Sequence, residues 1–366
     1  MNVREQKTEQ DTYQRKEKAE PESYEGGQTF LWMNEKGNTN TSEHARLLEF
    51  FLSPTNLHRA YKRVKQNEGS GGIDGMNTKE LRTYLQSHLE ELVDTVQKGK
   101  YKPEPVRRVE ISKENGKKRQ LGIPTVVDRV IQQAITQQLS PIYERQFSAN
   151  SYGFRPKRNA HQAVMQCQKN ANEGYCYVVD MDLEKFFDQV NQSKLIEVLS
   201  RTIKDGRVVS LIHKYLRAGV KVEKHYEETP MGVPQGGNLS PLLSNIMLNE
   251  LDKELEKRGH RFVRFADDCM IFCKSQRASE RVLVSITKYI EQALYLKVNE
   301  EKTVVAHIKD VKFLGYGFYF AKDGCRNRLH SKSEEKMKSK IRELTSRSNG
   351  WGNEHRKEKL GQYIIG

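Results

Sequence analysis

Arg261-Phe262-Val263-Arg264-Phe265-Ala266-Asp267-Asp268-Cys269-Met270-Ile271-Phe272-Cys273 decides how this chain reads. Two apolar runs, Phe262-Val263 and Met270-Ile271-Phe272, flank a short turn carrying the adjacent carboxylates Asp267 and Asp268. The pattern is a tight β-hairpin. A second strand-like run, Tyr177-Val178-Val179, is apolar enough to lie centrally in a sheet and delivers a third acid, Asp182. Carboxylate oxygens are hard ligands that suit Mg²⁺. Three of them on strand ends of one sheet can hold two divalent ions, and such a pair drives phosphoryl transfer from a nucleotide. Taken alone, an Asp-Asp turn is a solvated turn. The metal reading requires the three acids to meet in space.

The surroundings of these acids are strongly basic. The chain has 366 residues, with 62 Lys and Arg against 48 Asp and Glu, for a formal net charge of +14. That balance points to a polyanionic partner, nucleic acid above all. No apolar run approaches the roughly 18–20 residues that span a bilayer, so no membrane partner is expected. Met1 to Glu25 lacks the apolar stretch of a secretory signal, and a cytoplasmic location is expected. The five cysteines are scattered, with no CxxC pair and no zinc spacing; they read as reduced, half-buried thiols.

The pattern divides the chain into five segments. Residues 1–42 form a polar, flexible tail. Residues 43–105 are helical, broken at Ser53-Pro54, with Ser42 as an N-cap and a helix from Thr78 to about Gln97. Between them Gly69-Ser70-Gly71-Gly72-Ile73-Asp74-Gly75 is expected to be a flexible loop too glycine-rich to pack. Residues 106–173 open with a basic hairpin turning at Asn115-Gly116, continue with a helix starting at Pro124, and close with a helix over about 158–172. Residues 174–330 carry the three acids, a long helix from Leu239, and a β-ribbon over 311–320. Residues 331–366 are a basic helical segment, and Ile364-Ile365 reads as the start of a further element.

Lys113 and Arg119 flank the hairpin turn, where they are either a basic surface or a clamp on a triphosphate. Phe186-Phe187 follows Asp182. One ring fits a core position, and the other can close on a sugar and sense its 2′-hydroxyl. Pro234-Gln235-Gly236-Gly237 is a bend whose glycines permit close backbone approach to a base pair.

These segments, in this order, resemble the reverse transcriptases encoded by bacterial group II introns. The resemblance is carried by Arg119-Gln120-Leu121-Gly122-Ile123-Pro124 with the helix from Asp128 to Ala134, and by Ser151-Tyr152-Gly153-Phe154-Arg155-Pro156. It continues through Val179 to Asp188, Gly232 to Asn245, Phe265-Ala266-Asp267-Asp268 and Phe313-Leu314-Gly315. It spans roughly residues 45–330. It implies an α+β right-hand polymerase: fingers and a palm with an antiparallel sheet backed by helices, plus a mainly helical N-terminal extension. The implied activity is RNA-directed DNA synthesis with two Mg²⁺ ions from dNTPs, on an RNA template with a DNA primer. Intron RNA binding for splicing (a maturase role) and retrohoming into a DNA target are implied as well.

Residue by residue, the resemblance makes Asp182, Asp267 and Asp268 catalytic, with the Leu183 carbonyl as a further metal ligand. Lys113, Arg119, Leu183, Phe187 and Gln235 would form the nucleotide site, with Phe187 as sugar gate. Phe265 and Ala266 would lie beneath the primer end, Phe313, Leu314 and Gly315 in a primer-grip ribbon, and Arg63, Arg129 and Lys157 at the template. Phe265 stands where the family commonly has Tyr, and the family's thumb and maturase segments are expected to begin about where this sequence ends. An RNA-binding scaffold with little polymerase activity, or a retron-type reverse transcriptase, are the alternative readings.

Overall fold

The computed structural model describes residues 46–112, 118–223 and 225–365; the expected tail, the Ser42 cap and Lys113 lie outside them. The N-terminal helices α1 (Leu47–Phe51), α2 (Pro54–Asn67) and α3 (Leu81–Gln97) lead into the hairpin of β1 (Val106–Ser112) and β2 (Lys118–Ile123). Its antiparallel register runs from Arg107 opposite Ile123 to Ser112 opposite Lys118. The buried helix α4 (Val126–Glu144) follows. Its N-cap is Thr125, whose hydroxyl accepts from Asp128 N, so Pro124 precedes the helix rather than opening it. The Asp128 carboxylate in turn accepts from Tyr101 and Thr125, at 2.7 Å each.

Asn56 ties the helical extension to α4. Its amide donates to the carbonyls of Phe51 and Ala134, at 2.8 and 3.0 Å. Its side-chain oxygen accepts from Gln137 and Gln138, at 2.6 and 2.8 Å. All three amides are buried. The Gly69–Gly75 loop packs, contrary to expectation. A Cβ on Gly72 would lie 2.6 Å from Thr125 Cα, and the Gly71 carbonyl accepts two bonds from Arg107, at 2.8 and 3.1 Å. The missing side chains that suggested mobility are what let the backbone approach α4.

The second half is built on a four-stranded antiparallel sheet whose strands lie in the order Arg261–Phe265, Asp268–Cys273, Tyr177–Met181, Val304–His307. Capped at Asn159, α5 (Ala160–Asn172) leads into β3 (Tyr177–Met181). Then come α6 (Phe186–Gln189), α7 (Gln192–Thr202), α8 (Gly206–Leu216), β4 (Val220–Val222), β5 (His225–Glu227) and α9 (Ser240–Lys257). The acidic hairpin is β6 (Arg261–Phe265) and β7 (Asp268–Cys273), followed by α10 (Gln276–Ala293) and β8 (Val304–His307). Strand alternation sorts the two faces of this sheet. Val179, Met181, Ile271 and Phe262 join the large core shared with the helices. Val178, Val263, Met270 and Phe272 join a second core with α5 and a terminal ribbon. A smaller sheet, β2-β1-β4-β5, contains a parallel β1–β4 contact among otherwise antiparallel pairs.

The ribbon has three strands, β9 (Lys312–Phe313), β10 (Tyr316–Ala321) and β11 (Gly324–Leu329), before α11 (Ser331–Thr345) and α12 (Asn353–Ile365). One expectation is corrected here: the ribbon gains β11. Ile364-Ile365 lie within α12. Among the described residues no helix is long and apolar enough to cross a membrane.

Asn56→Ala strips the acceptor from buried Gln138, leaves Gln137 only the backbone carbonyl of residue 56, and removes a donor from the carbonyls of Phe51 and Ala134. Buried unsatisfied groups cost about 1–3 kcal/mol, so this variant should lose that much stability in a denaturant titration. An unchanged midpoint would show that α1, α2 and α4 do not depend on the network.

Candidate active site

Met181, the last residue of β3, pairs with Cys269, and Phe265 pairs with Asp268 across the hairpin turn. Asp182 follows Met181 and therefore reaches the level of Asp268. The three sequence-expected acids thus share one end of one sheet. Asp180 lies two residues before Asp182 and, by alternation, on the same face. It is a fourth carboxylate at this end, and it was missed when the sequence was read by strand ends alone. Burial, then Asp268 and Asp182, push the Asp180 carboxyl up to about 6. Burial, then Asp267 and Asp182, likewise push Asp268 up to about 6, against the pull of Lys302.

The first acid is clamped by a segment that the sequence reading passed over. Asn299 N donates to the Asp182 carbonyl at 2.9 Å, and Thr303 Oγ1 accepts from Asp182 N at 3.2 Å. Lys302 Nζ lies 3.2 and 3.3 Å from the two Asp182 carboxylate oxygens. Leu183 is buried and bridges Val298. The readable signal was Asn299-Glu300-Glu301-Lys302-Thr303, a polar turn directly before a strand. Among the described residues no group of three or more His, Cys, Asp or Glu side chains is arranged to hold a metal ion. The donor set fits a hard divalent cation nonetheless. It is all carboxylate oxygen, self-repelling, and partly neutralised only by one lysine.

The acidic turn is fixed from below. Ala266 has φ +56°, a left-handed conformation unusual for a residue with a side chain. Arg264, fully buried, donates from Nη1 to the Ala266 carbonyl at 2.9 Å and to Asn245 Oδ1 at 3.0 Å. Its Nε and Nη2 form a two-pronged pair with buried Asp252, at 2.7 and 2.5 Å. Burial pushes the Asp252 carboxyl up and Arg264 opposes the shift. The Ser151–Pro156 loop lies against the turn. Tyr152 N donates to the Arg264 carbonyl at 2.8 Å, and Asn245 Nδ2 to the Gly153 carbonyl at 2.9 Å. A Cβ on Gly153 would collide with Ala266 N, so this position requires glycine.

The remaining expected residues divide sharply. Arg119 Nε donates to Gln235 Oε1 at 2.8 Å, which brings two of the expected nucleotide contacts together. Phe187 is buried against Phe186, ring centroids 5.2 Å apart, and its carbonyl accepts from Val233 N at 2.7 Å. Lys157 is exposed, with φ +60°, and Arg63 is partly exposed. Two expectations fail on burial. Arg129 is buried and spends its guanidinium on the carbonyls of Pro124, Glu68 and Ser70, so it presents nothing to a template. Phe313 is a core side chain, so only Leu314 (φ +49°) and Gly315 (φ +89°) of that ribbon lie at a turn. Phe265 is half-buried and Ala266 buried.

A family described as "Reverse transcriptase (RNA-dependent DNA polymerase)" matches residues 111–318. The chain belongs to the reverse transcriptase family. It is 33% identical over 312 residues to Protein YkfC of Escherichia coli K12, covering 74% of this chain and 82% of that protein. It is 30% identical over 349 residues to the group II intron-encoded protein LtrA of Lactococcus lactis subsp. cremoris, covering 77% of this chain. The chain spans 58% of the length of LtrA. The apo telomerase of Candida tropicalis shares the fold, with a TM-score of 0.50 at 14% identity over 63% of this chain and 49% of that one. The fingers-palm architecture expected from the sequence therefore stands. The family generally works with divalent metal ions.

The acid cluster makes a signed prediction. The folded-state pKa of Asp180 lies above its unfolded value, so its ionisation opposes folding. The penalty is absent below the unfolded pKa and grows as pH rises through about 6. Asp180→Asn should therefore stabilise the metal-free protein by about 1–2 kcal/mol at pH 7.5, after allowance for partial solvent screening. The gain should vanish toward pH 4. Thermal unfolding of both proteins across that range checks it, and a gain independent of pH would contradict it.

Proposed function

We propose that this chain copies RNA into DNA at the carboxylate end of its main sheet, using two Mg²⁺ ions held by Asp182, Asp267, Asp268 and the Leu183 carbonyl. The observation that carries this reading is the convergence of Asp182 with the Asp267-Asp268 turn on adjacent strand ends. When bound, the ions lower the pKa of a primer 3′-hydroxyl and neutralise charge on the leaving pyrophosphate. The protein's part is placement. Asn299 and Thr303 hold the backbone of Asp182, while Arg264 and the Gly153 loop hold the turn. Arg119, with Lys113 from the same hairpin, meets the triphosphate oxygens, and Gln235 lines the base side of the pocket. Phe187 packs under the sugar and excludes a 2′-hydroxyl. Phe265, Ala266, Leu314 and Gly315 lie along the primer, and Lys157 and Arg63 along the template. In this reading residues 43–105 form the N-terminal extension, 106–173 the fingers and 174–330 the palm. The substrates are dNTPs on an RNA template with a DNA primer.

The likeness to LtrA supports a second part of the proposal: binding of a group II intron RNA, support of its splicing, and insertion at a DNA target. The net charge of +14 suits such a polyanionic partner.

Primer extension on an RNA template with dNTPs and Mg²⁺ tests the catalytic assignment. Loss of two carboxylate ligands removes several kcal/mol of transition-state stabilisation, so Asp267→Asn with Asp268→Asn should cut synthesis by about 10³-fold or more. RNA affinity should stay near that of the wild type. Equal synthesis by the two proteins would reject the site. In the same assay Phe187→Ala should raise incorporation of ribonucleotides relative to deoxyribonucleotides, and an unchanged preference would remove the gate from Phe187.

A further inference from the structure

The geometry points to Arg264, Asp252 and Asn245 as positioning residues that set the conformation of the Asp267-Asp268 turn through the Ala266 carbonyl. This inference rests on the proposed role of that turn. The argument begins with cost. A guanidinium with no solvent exposure is expensive to bury, and it is retained only where its partners satisfy it closely. Asp252 on α9 takes two of its N–H groups, and Asn245, two turns earlier on the same helix, takes a third. The same Nη1 that meets Asn245 also donates to the Ala266 carbonyl. Ala266 is the left-handed residue immediately before the two acids. A peptide held at φ +56° in a residue with a Cβ reverts unless its surroundings impose the angle.

The surroundings impose it from two sides. Arg264 holds the carbonyl side, and the Gly153 backbone presses against the amide side. Asn245 joins the two, because its Nδ2 holds the Gly153 carbonyl while its Oδ1 holds Arg264. Helix α9 thereby fixes both the strand before the turn and the loop above it. None of these three residues touches the reacting atoms; they act through Ala266. A rotation of that peptide moves both carboxylates, and displacement of reacting groups by about 1 Å costs up to about 10²-fold in rate.

The test separates geometry from stability. Truncating Arg264 alone leaves a buried carboxylate unpaired and endangers folding, whereas replacing both partners with apolar residues of similar volume is often neutral. The double variant Arg264→Met with Asp252→Leu should keep its unfolding midpoint, yet lose about 10- to 100-fold in kcat for primer extension. Its KM for the primer–template should stay near wild type. Binding of Mn²⁺ to the nucleotide-free protein, read by electron paramagnetic resonance, should weaken severalfold, which a purely structural role would not produce. Asn245→Ala is the milder companion and decides alone if the double variant does not fold; it should shift kcat and Mn²⁺ binding in the same direction. Wild-type kcat and Mn²⁺ affinity in a folded variant would overturn the inference. If instead the Asp267→Asn and Asp268→Asn protein extends primers as well as wild type, it is the catalytic assignment of the turn that fails.

Discussion

One fully buried ion pair governs the geometry of the acidic end. Arg264 and Asp252 have no solvent exposure, and their bond joins the strand before the turn to the middle of α9. Such a pair adds little net stability, because desolvation cancels most of the Coulomb attraction. Its effect is directional. A guanidinium offers five donors in a fixed plane, and here they reach Asp252, Asn245 and Ala266. An aliphatic side chain would fill the same volume and specify none of those contacts. The left-handed Ala266, the glycine required at 153 and the parallel bridge between Ser151 and Arg264 all lie around that one plane.

Above the turn the electrostatics are unfavourable. Asp180, Asp182, Asp267 and Asp268 repel one another, and two of them are pushed up to about 6 by burial and by their neighbours. The fold tolerates this because the strands beneath are among its best-packed elements: Val178, Val179, Met270 and Ile271 are all fully buried. Lys302 relieves part of the repulsion, but its side chain is largely exposed, and an ammonium in water is a weak counterion. A hard divalent cation bound by several carboxylates relieves far more. Under the proposed function, the same imbalance that costs stability without metal would favour its binding.

Much of this was legible in the sequence, and the failures have a common cause. Asp182, Asp267 and Asp268 could be placed because each ends or interrupts an apolar run, and strand ends are visible as changes in hydrophobicity. Asp180 sits inside such a run, where only the period-2 rule reveals that it shares a face with Asp182. Arg264 is not singled out by composition or spacing; a charged residue between Val263 and Phe265, in a strand covered on both faces, is nonetheless the sign of a buried pair. Arg129 erred the other way, since a cation on an amphipathic helix reads as surface until a glycine loop is found lying over it. Strand β11 was missed because Arg326, Asn327 and Arg328 dominate its composition, while only Cys325 is buried. The polar turn from Asn299 to Thr303 is legible locally, but its pairing with Asp182, far away in the chain, is not.

The seam between the β1–β2 hairpin and the Gly232–Asn238 loop shows how two kinds of contact divide the work. Gly122 N donates to the Gln235 carbonyl at 2.7 Å, and a Cβ on Gly236 would lie 2.6 Å from the Gly122 carbonyl. Backbone touches backbone there, so the spacing of the two segments is set without any side chain. The Arg119–Gln235 bond lies at the same seam but is exposed. An exposed neutral acceptor contributes only about 1 kcal/mol to such a bond, and a charged phosphate oxygen is a considerably stronger partner for a guanidinium. Under the proposed function Arg119 therefore exchanges Gln235 for triphosphate without disturbing the seam. On that reading the glycine contacts keep the pocket's shape and leave the Arg119 charge to the nucleotide.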